Sequence, residues 1–171
     1  MLYQSNNDTY SIKTNNNLQT IRPFPDPSFP FIINHLNMEQ LAIPYIPWHW
    51  HDEIEFVWVK SGCLTINTSD NSLELQADDC AFLNSGILHM IKTEQGNACD
   101  FFSVRFYGKL LFPDTTATIS TQYMHPLAIS PELRYIHLTA KNPLETRMIQ
   151  LMKQTIQIYY MNQPGSELMI L

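Results

Sequence analysis

Residues 48–55 read Trp48-His49-Trp50-His51-Asp52-Glu53-Ile54-Glu55, and Gly62 follows. In a β-strand residues i and i+2 share a face, so His49 and His51 project the same way. Asp52-Glu53 makes a tight corner, which puts Glu55 on the next strand. Farther along, Asn84-Ser85-Gly86-Ile87-Leu88-His89 supplies another histidine after a turn. His49, His51, Glu55 and His89 together form an N/N/O/N ligand set. Such a set suits a borderline divalent metal (Zn, Ni, Mn or Fe) with open coordination positions. The same four side chains also suit the polar lining of a barrel, bonded to one another, to water or to an organic ligand.

The surrounding pattern is that of a β protein. From about 31 to 107 the hydrophobic period is near 2. Strands are expected at 31–36, 41–47, 54–60, 63–68, 72–76, 80–84, 87–93 and 99–107. Breaks fall at Ser61-Gly62, Ser69-Asp70-Asn71, Ala77-Asp78-Asp79, Ser85-Gly86 and Gln95-Gly96-Asn97. Many short strands with regular turns and no intervening helix pattern indicate an antiparallel sandwich or barrel, not βαβ units.

The period changes after residue 140. Asn142-Pro143-Leu144-Glu145 carries helix-start chemistry, with Asn at the N-cap, Pro at N1 and Glu at N3. Leu144, Met148, Leu151, Met152, Thr155, Ile158 and Tyr159 share one face at helical spacing, and Ile149, Ile156 and Tyr160 broaden it sideways. The helix is expected to stop near Asn162-Gln163-Pro164-Gly165 and another to begin at Ser166-Glu167. The apolar end Leu168-Met169-Ile170-Leu171 carries no stop signal and is expected to continue in the natural protein.

At the other end, residues 1–22 are polar and Asn-rich and are expected to be disordered without a ligand. Residues 23–30 hold too many prolines for a helix or a central strand. The organisation expected is an N-terminal arm at 1–30, a barrel at 31–140 and a helical dimerisation region at 141–171.

Composition narrows the function classes. The 171 residues contain 10 Lys+Arg and 16 Asp+Glu, a formal net charge of −6, which leaves little for the basic face of a nucleic-acid binder. Cys63, Cys80 and Cys99 are odd in number and lack CxxC spacing, which argues against a disulfide framework or a zinc ribbon. No apolar run approaches about 18 residues, so no membrane span is expected. The N-terminus has no secretory pattern, and a cytoplasmic setting with reduced thiols is expected.

The ligand-bearing residues resemble the cupin superfamily, whose motifs read G-x5-H-x-H-x3,4-E-x6-G and G-x5-P-x-G-x2-H-x3-N. His49, His51, Glu55 and Gly62 match the first at the right spacing, and Gly86 and His89 match the second. Ile43 and Asp78 stand where those motifs open on glycine, Asn84 stands for the proline and Thr93 for the final asparagine. A narrower resemblance lies in HWHDEIEFVWVKSG, LQADDCAFLNSGILHMI and FFSVRF, which are similar to the N-terminal sensor domain of AraC-type transcriptional regulators. It implies a mainly β, cupin-like antiparallel barrel (a double-stranded β-helix or jelly roll) followed by C-terminal α-helices. It also implies a small-molecule effector, often a sugar, and a homodimer through the helices. DNA would be bound only by a helix-turn-helix domain outside these residues. No metal is required in that family.

Further pocket residues are expected on the strands. Arg105 shares a mixed face with Phe101, Ser103 and Tyr107, where it could serve a carboxylate or sugar hydroxyls or, on an outer face, solvent. Tyr45, Phe82 and His35 are additional pocket candidates. Trp48, Trp50 and Trp58 fall on the opposite parity from the ligands and are expected to pack, while Val57 and Val59 line the interior. Two functions follow: a sensing and dimerisation module of a regulator, with no enzymatic activity, or a metal-dependent cupin enzyme such as a dioxygenase or isomerase. A non-catalytic sugar-binding module is a third.

Overall fold

The computed structural model describes residues 12–21, 24–41, 43–94, 98–111, 118, 120–130 and 132–171. Its strands are β1 (Phe31–Asn37), β2 (Tyr45–His49), β3 (Ile54–Thr68), β4 (Ser72–Gln76), β5 (Cys80–Leu83), β6 (His89–Lys92), β7 (Cys99–Phe106) and β8 (Tyr135–Leu138). All pairings between them are antiparallel. One sheet runs β1-β7-β3-β5-β8, and a second joins β2 to β6, β6 to β3 and β3 to β4.

Strand β3 belongs to both sheets. Residues 54–59 pair with β5 and β7, and residues 63–68 pair with β4 and β6. The two strands expected at 54–60 and 63–68 are therefore one strand with a bend. A register shift between Val59 and Ser61 marks the bend, and Gly62 sits just beyond it at φ +80°. A β-bulge bends a strand and raises its twist, which lets one strand turn the corner between sheets. Gly62 is required there on two counts. L-residues avoid that φ, and a Cβ would lie 2.0 Å from the Ala98 carbonyl oxygen.

The interior between the sheets is apolar over most of its depth. Val57, Val59, Ile66, Leu75, Leu83, Ile91 and Phe101 are almost fully buried in one cluster. Burying a side chain of this size contributes roughly 1.5–3 kcal/mol. Val57 and Val59 face this interior, as their parity requires.

Helices cover the outer face of the larger sheet. A π-helical turn (Ser120–Met124) leads into the short α1 (His125–Ile129), and α2 (Pro143–Met161) and α3 (Ser166–Ile170) follow β8. The start of α2 is as expected: Asn142 Oδ1 accepts from the Glu145 N–H at 2.9 Å, and Pro143 opens the helix. The Glu145 carboxylate accepts in return from the Asn142 side-chain amide at 2.6 Å. Asn162, at φ 45°, ends the helix with a left-handed cap.

The face that α2 buries is rotated from the expected one. Ile149 and Ile156 are its buried residues, and Met152, Tyr159 and Tyr160 pack beside Ile156 on Phe31, Phe102, Phe106 and Trp58. Leu144 and Leu151 remain exposed. The sequence stripe was wide enough to accommodate either choice, and the aromatic outer face of the sheet selects the Ile149–Ile156 side.

Two other expectations change. The Tyr135–Leu138 strand, β8, lies beyond the period-2 region and pairs with β5. Residues 12–21 form a closed loop rather than a disordered arm. Thr14 bridges Thr20, and the loop is tied to Trp50 through Trp50 N–H to Leu18 O (3.0 Å), Thr20 N–H to Trp50 O (2.9 Å) and the indole N–H to Asn17 O (2.8 Å). Trp50 thus packs under the arm. Residues 1–11 and 22–23 lie outside the described residues. Among those described, no helix is long and apolar enough to cross a membrane.

Candidate functional site

His49 ends β2, His51 and Glu53 occupy the corner after it, Glu55 follows on β3, and His89 opens β6. The corner is stitched to the second histidine's turn: Gly86 N–H donates to His51 O and the Ser85 hydroxyl to Asp52 O, each at 2.8 Å. His89 is paired across strands with His49 on one side and Thr68 on the other. These links gather residues from two distant stretches at one end of the barrel.

All four expected ligands meet. Ring centroids are 4.2 Å apart for His49 and His89, 5.3 Å for His51 and His89 and 5.8 Å for His49 and His51. The ligating nitrogens of the three histidines lie within 4.8 Å of one another, and all three residues are buried. Glu55 Oε2 stands 3.2 Å from Nε2 of both His51 and His89. Its Oε1 accepts a hydrogen bond from the Ser103 hydroxyl.

Backbone carbonyls decide the histidine tautomers. The Nδ1–H of His49 donates to Pro47 O (2.8 Å), that of His51 to Glu53 O (3.0 Å) and that of His89 to Ile87 O (2.8 Å). A carbonyl only accepts, so each Nδ1 carries the hydrogen and each neutral ring keeps its lone pair on Nε2. This is how metal-ligating histidines are held, with the far ring nitrogen fixed by an outer partner.

Charge points the same way. Burial would raise the Glu55 carboxyl, but the facing imidazoles of His51 and His89 outweigh it and hold it well below the usual carboxylate range. Burial, and then the neighbouring His89, push His49 down to about 3. The site therefore gathers a carboxylate and three imidazoles out of water. His89 Nε2 is buried against Glu55 Oε2 at 3.2 Å but off hydrogen-bond geometry. A divalent cation fits such a donor set, because it supplies the positive centre that these acceptors share.

Arg105 also belongs to this end of the barrel. It is directly opposite Glu55 in the β3–β7 pairing and is 3% exposed, so the solvent-facing alternative is excluded. Ser103 lies on the same face.

Tyr45 and Phe82 are not brought to the site. A register shift between Ile46 and His49 reverses the parity of β2, so Tyr45 is 41% exposed while His49 turns inward. Phe82 pairs with Phe56 on the outer face of its sheet and packs in the cluster under α2, whereas its neighbours Ala81 and Leu83 face the interior. His35 stacks on Phe102 at 4.3 Å and is ion-paired with Asp100. Trp58 also stacks on Phe102, at 5.5 Å, and Trp48 is exposed. Glu53, which the sequence assigns only to the corner, is buried with Oε2 3.5 Å from His51 Nδ1. Its parity with Glu55 and Val57 was the available signal.

Two positions that depart from the motif have defined places in the fold. Asp78, in place of the second opening glycine, adopts φ 73°. Asn84, in place of the proline, is buried and donates its side-chain amide to Leu127 O (2.8 Å) and Leu133 O (2.9 Å), holding the α1 region to the sheet.

The chain is 30% identical over 122 residues to YdeC, an uncharacterized HTH-type transcriptional regulator of Bacillus subtilis, covering 67% of this chain. It spans 41% of that relative's length. Among solved structures it is similar to a cupin-2 domain protein from Shewanella frigidimarina (21% identity, 44% of this chain and 69% of the other, TM-score 0.38). It is also similar to a cupin-like protein from Thermotoga maritima (14% identity, 51% and 66%, TM-score 0.44). Residues 42–105 match the family model described as Cupin domain.

Proposed function

We propose that this chain is the small-molecule-sensing and dimerisation part of an AraC-type transcription regulator, acting in the cytoplasm without enzymatic activity. The observation that carries the reading is the likeness to an HTH-type regulator over 122 residues, combined with a buried polar cluster inside the barrel. DNA would be bound by a helix-turn-helix domain beyond these residues. Effector binding would favour one arrangement of two such domains over another, which requires different affinities for the two arrangements. A sugar is the effector class that the family resemblance implies.

A divalent metal, zinc, nickel, manganese or iron, would be held by His49, His51, His89 and Glu55. Once bound it would supply a Lewis-acidic centre to which an oxygen-bearing effector can attach. The helical region offers the dimer contact. Leu144 and Leu151 are exposed one heptad apart on α2, and Met161, Leu168 and Met169 are exposed near its end. A two-fold contact through this face would be isologous.

Light scattering at micromolar concentration tests the dimer: the dimer mass is expected, and a monomer refutes that part. DNA binding separates the roles. Residues 1–171 are expected to bind no specific site, and specific binding by them alone overturns the division of labour. The second reading, a metal-dependent cupin enzyme, is favoured by the same four-ligand cluster. Metal-dependent turnover of a small substrate by this chain would select it.

A further inference from the structure

We propose that Arg105 anchors the carboxylate of a small organic acid bound inside the barrel, next to the histidine cluster. This deepens the sensing proposal and rests on its premise that the barrel takes a small molecule.

Arg105 is the one buried Lys or Arg among the described residues, at 3% exposed. Its side chain forms no ion pair with a described residue, and its Nε is buried without a hydrogen-bond partner. A guanidinium offers five N–H donors and keeps its charge at any ordinary pH. Leaving it buried and uncompensated costs several kcal/mol, so a buried arginine implies a counterpart.

The adjacent carboxylates are committed elsewhere. Glu55 lies directly across from Arg105, but its Oε1 accepts from Ser103 and its Oε2 faces His51 and His89. Glu53 is turned to His51, with Oε2 3.5 Å from Nδ1. The guanidinium thus lies on an inward face, between Ser103 and Tyr107, with its Nε unpartnered and no ion pair to a described carboxylate.

Ligand chemistry follows from this balance. A planar carboxylate matches the guanidinium fork with two parallel hydrogen bonds and supplies one negative charge. A neutral sugar can occupy the donors but offers no charge-assisted, bidentate partner to the guanidinium. A phosphate dianion would face the repulsion of Glu53 and Glu55 with a single arginine to offset it. A monoanion meets both conditions. A sugar fits this site as its acid, and short hydroxy acids fit on the same grounds.

The test follows the Arg105 Nε–H resonance in ¹⁵N-labelled protein after dialysis against EDTA, so that a metal-bound carboxylate does not contribute. Its assignment comes from its loss in Arg105→Lys, which keeps the charge and is checked for folding by thermal melting. Sodium acetate, glycolate and gluconate are titrated separately, with sodium chloride and glucose as controls. The expected result is a saturable shift with at least one acid and none with chloride or glucose. Calorimetry with that acid should show binding weakened about tenfold or more in Arg105→Lys, whose point charge lacks the planar fork. Glycolate and gluconate distinguish a short acid from a sugar acid. No saturable shift with any of the three acids overturns the proposal. A shift with glucose overturns it too, while leaving the sensing role standing.

Discussion

Nε2 of His51 stands 3.2 Å from Oε2 of Glu55, both side chains are buried, and the His51 Nδ1–H is already committed to the Glu53 carbonyl. An imidazole nitrogen and a carboxylate oxygen are therefore held together out of water, and His89 Nε2 faces the same oxygen from a second direction. One divalent ion per chain is expected to survive dialysis, measured by elemental analysis. His51→Ala or His89→Ala should abolish that stoichiometry. Ser103→Ala removes only an outer partner of Glu55 and should weaken metal binding by roughly 10–100-fold. Retention of full metal by His51→Ala sinks the ligand assignment.

Stability of the EDTA-treated chain should fall with pH on the acid side. His49 is pushed down to about 3 in the fold, mainly by burial, from an ordinary value near 6.5. Between those values the unfolded chain binds the proton and the folded chain does not. Stability from this group is therefore fully present above about pH 6.5 and is lost as pH falls toward about 3. The limiting slope is about 1.4 kcal/mol per pH unit for one proton. Glu55, held below its ordinary range, contributes with the same sign at lower pH. Melting temperature against pH checks this, and His49→Gln should flatten the upper part of the curve.

Gly62→Ala should destabilise the barrel severely. The added methyl would meet the Ala98 carbonyl oxygen at 2.0 Å, in a backbone conformation with φ +80°. The left-handed backbone alone costs an L-residue roughly 1–2 kcal/mol, and the collision with rigid backbone adds to it. Gly86 is also at positive φ, but a methyl added there would find nothing within 4 Å. Gly86→Ala should therefore cost only the conformational part. Chemical denaturation of the two variants compares them. Equal losses would remove the role assigned to the Ala98 contact.

Thiol labelling should discriminate the three cysteines. Burial pushes Cys80 up to about 12, and burial followed by the neighbouring Cys63 does the same for Cys99. The thiolate is the reactive form, so neither should label in the native chain near about pH 8. Half-buried Cys63 should label first. Mass spectrometry of peptides after a brief treatment with an alkylating agent reads the order, and prompt labelling of Cys80 would contradict its burial.

Much of this site was legible along the chain because its chemistry is local. The His49–His51 spacing is one strand period, the corner at Asp52-Glu53 is short, and the turn before His89 carries its own glycine. The helix start at Asn142 was legible for the same reason, since a cap involves only neighbouring residues within one turn. Tyr45 and Phe82 were misplaced because parity counts faces only within an unbroken ladder. The shift between Ile46 and His49 breaks that count in β2. The face of β5 is set by its pairing with β3, which no local pattern encodes.

The amino-acid order by itself determined the strand-rich body, the four convergent ligands and the helices that follow, because each depends on periodicity or on residues a few positions apart. Tertiary structure alone decided which face of α2 is buried, that β3 bends through both sheets, and that residues 12–21 close onto Trp50. It also decided that Arg105 lies inward, with its Nε unpartnered, rather than in solvent. Those outcomes depend on pairing between distant segments and on what remains to satisfy a buried group. A one-dimensional pattern carries residue type and parity, but not the partner across the barrel.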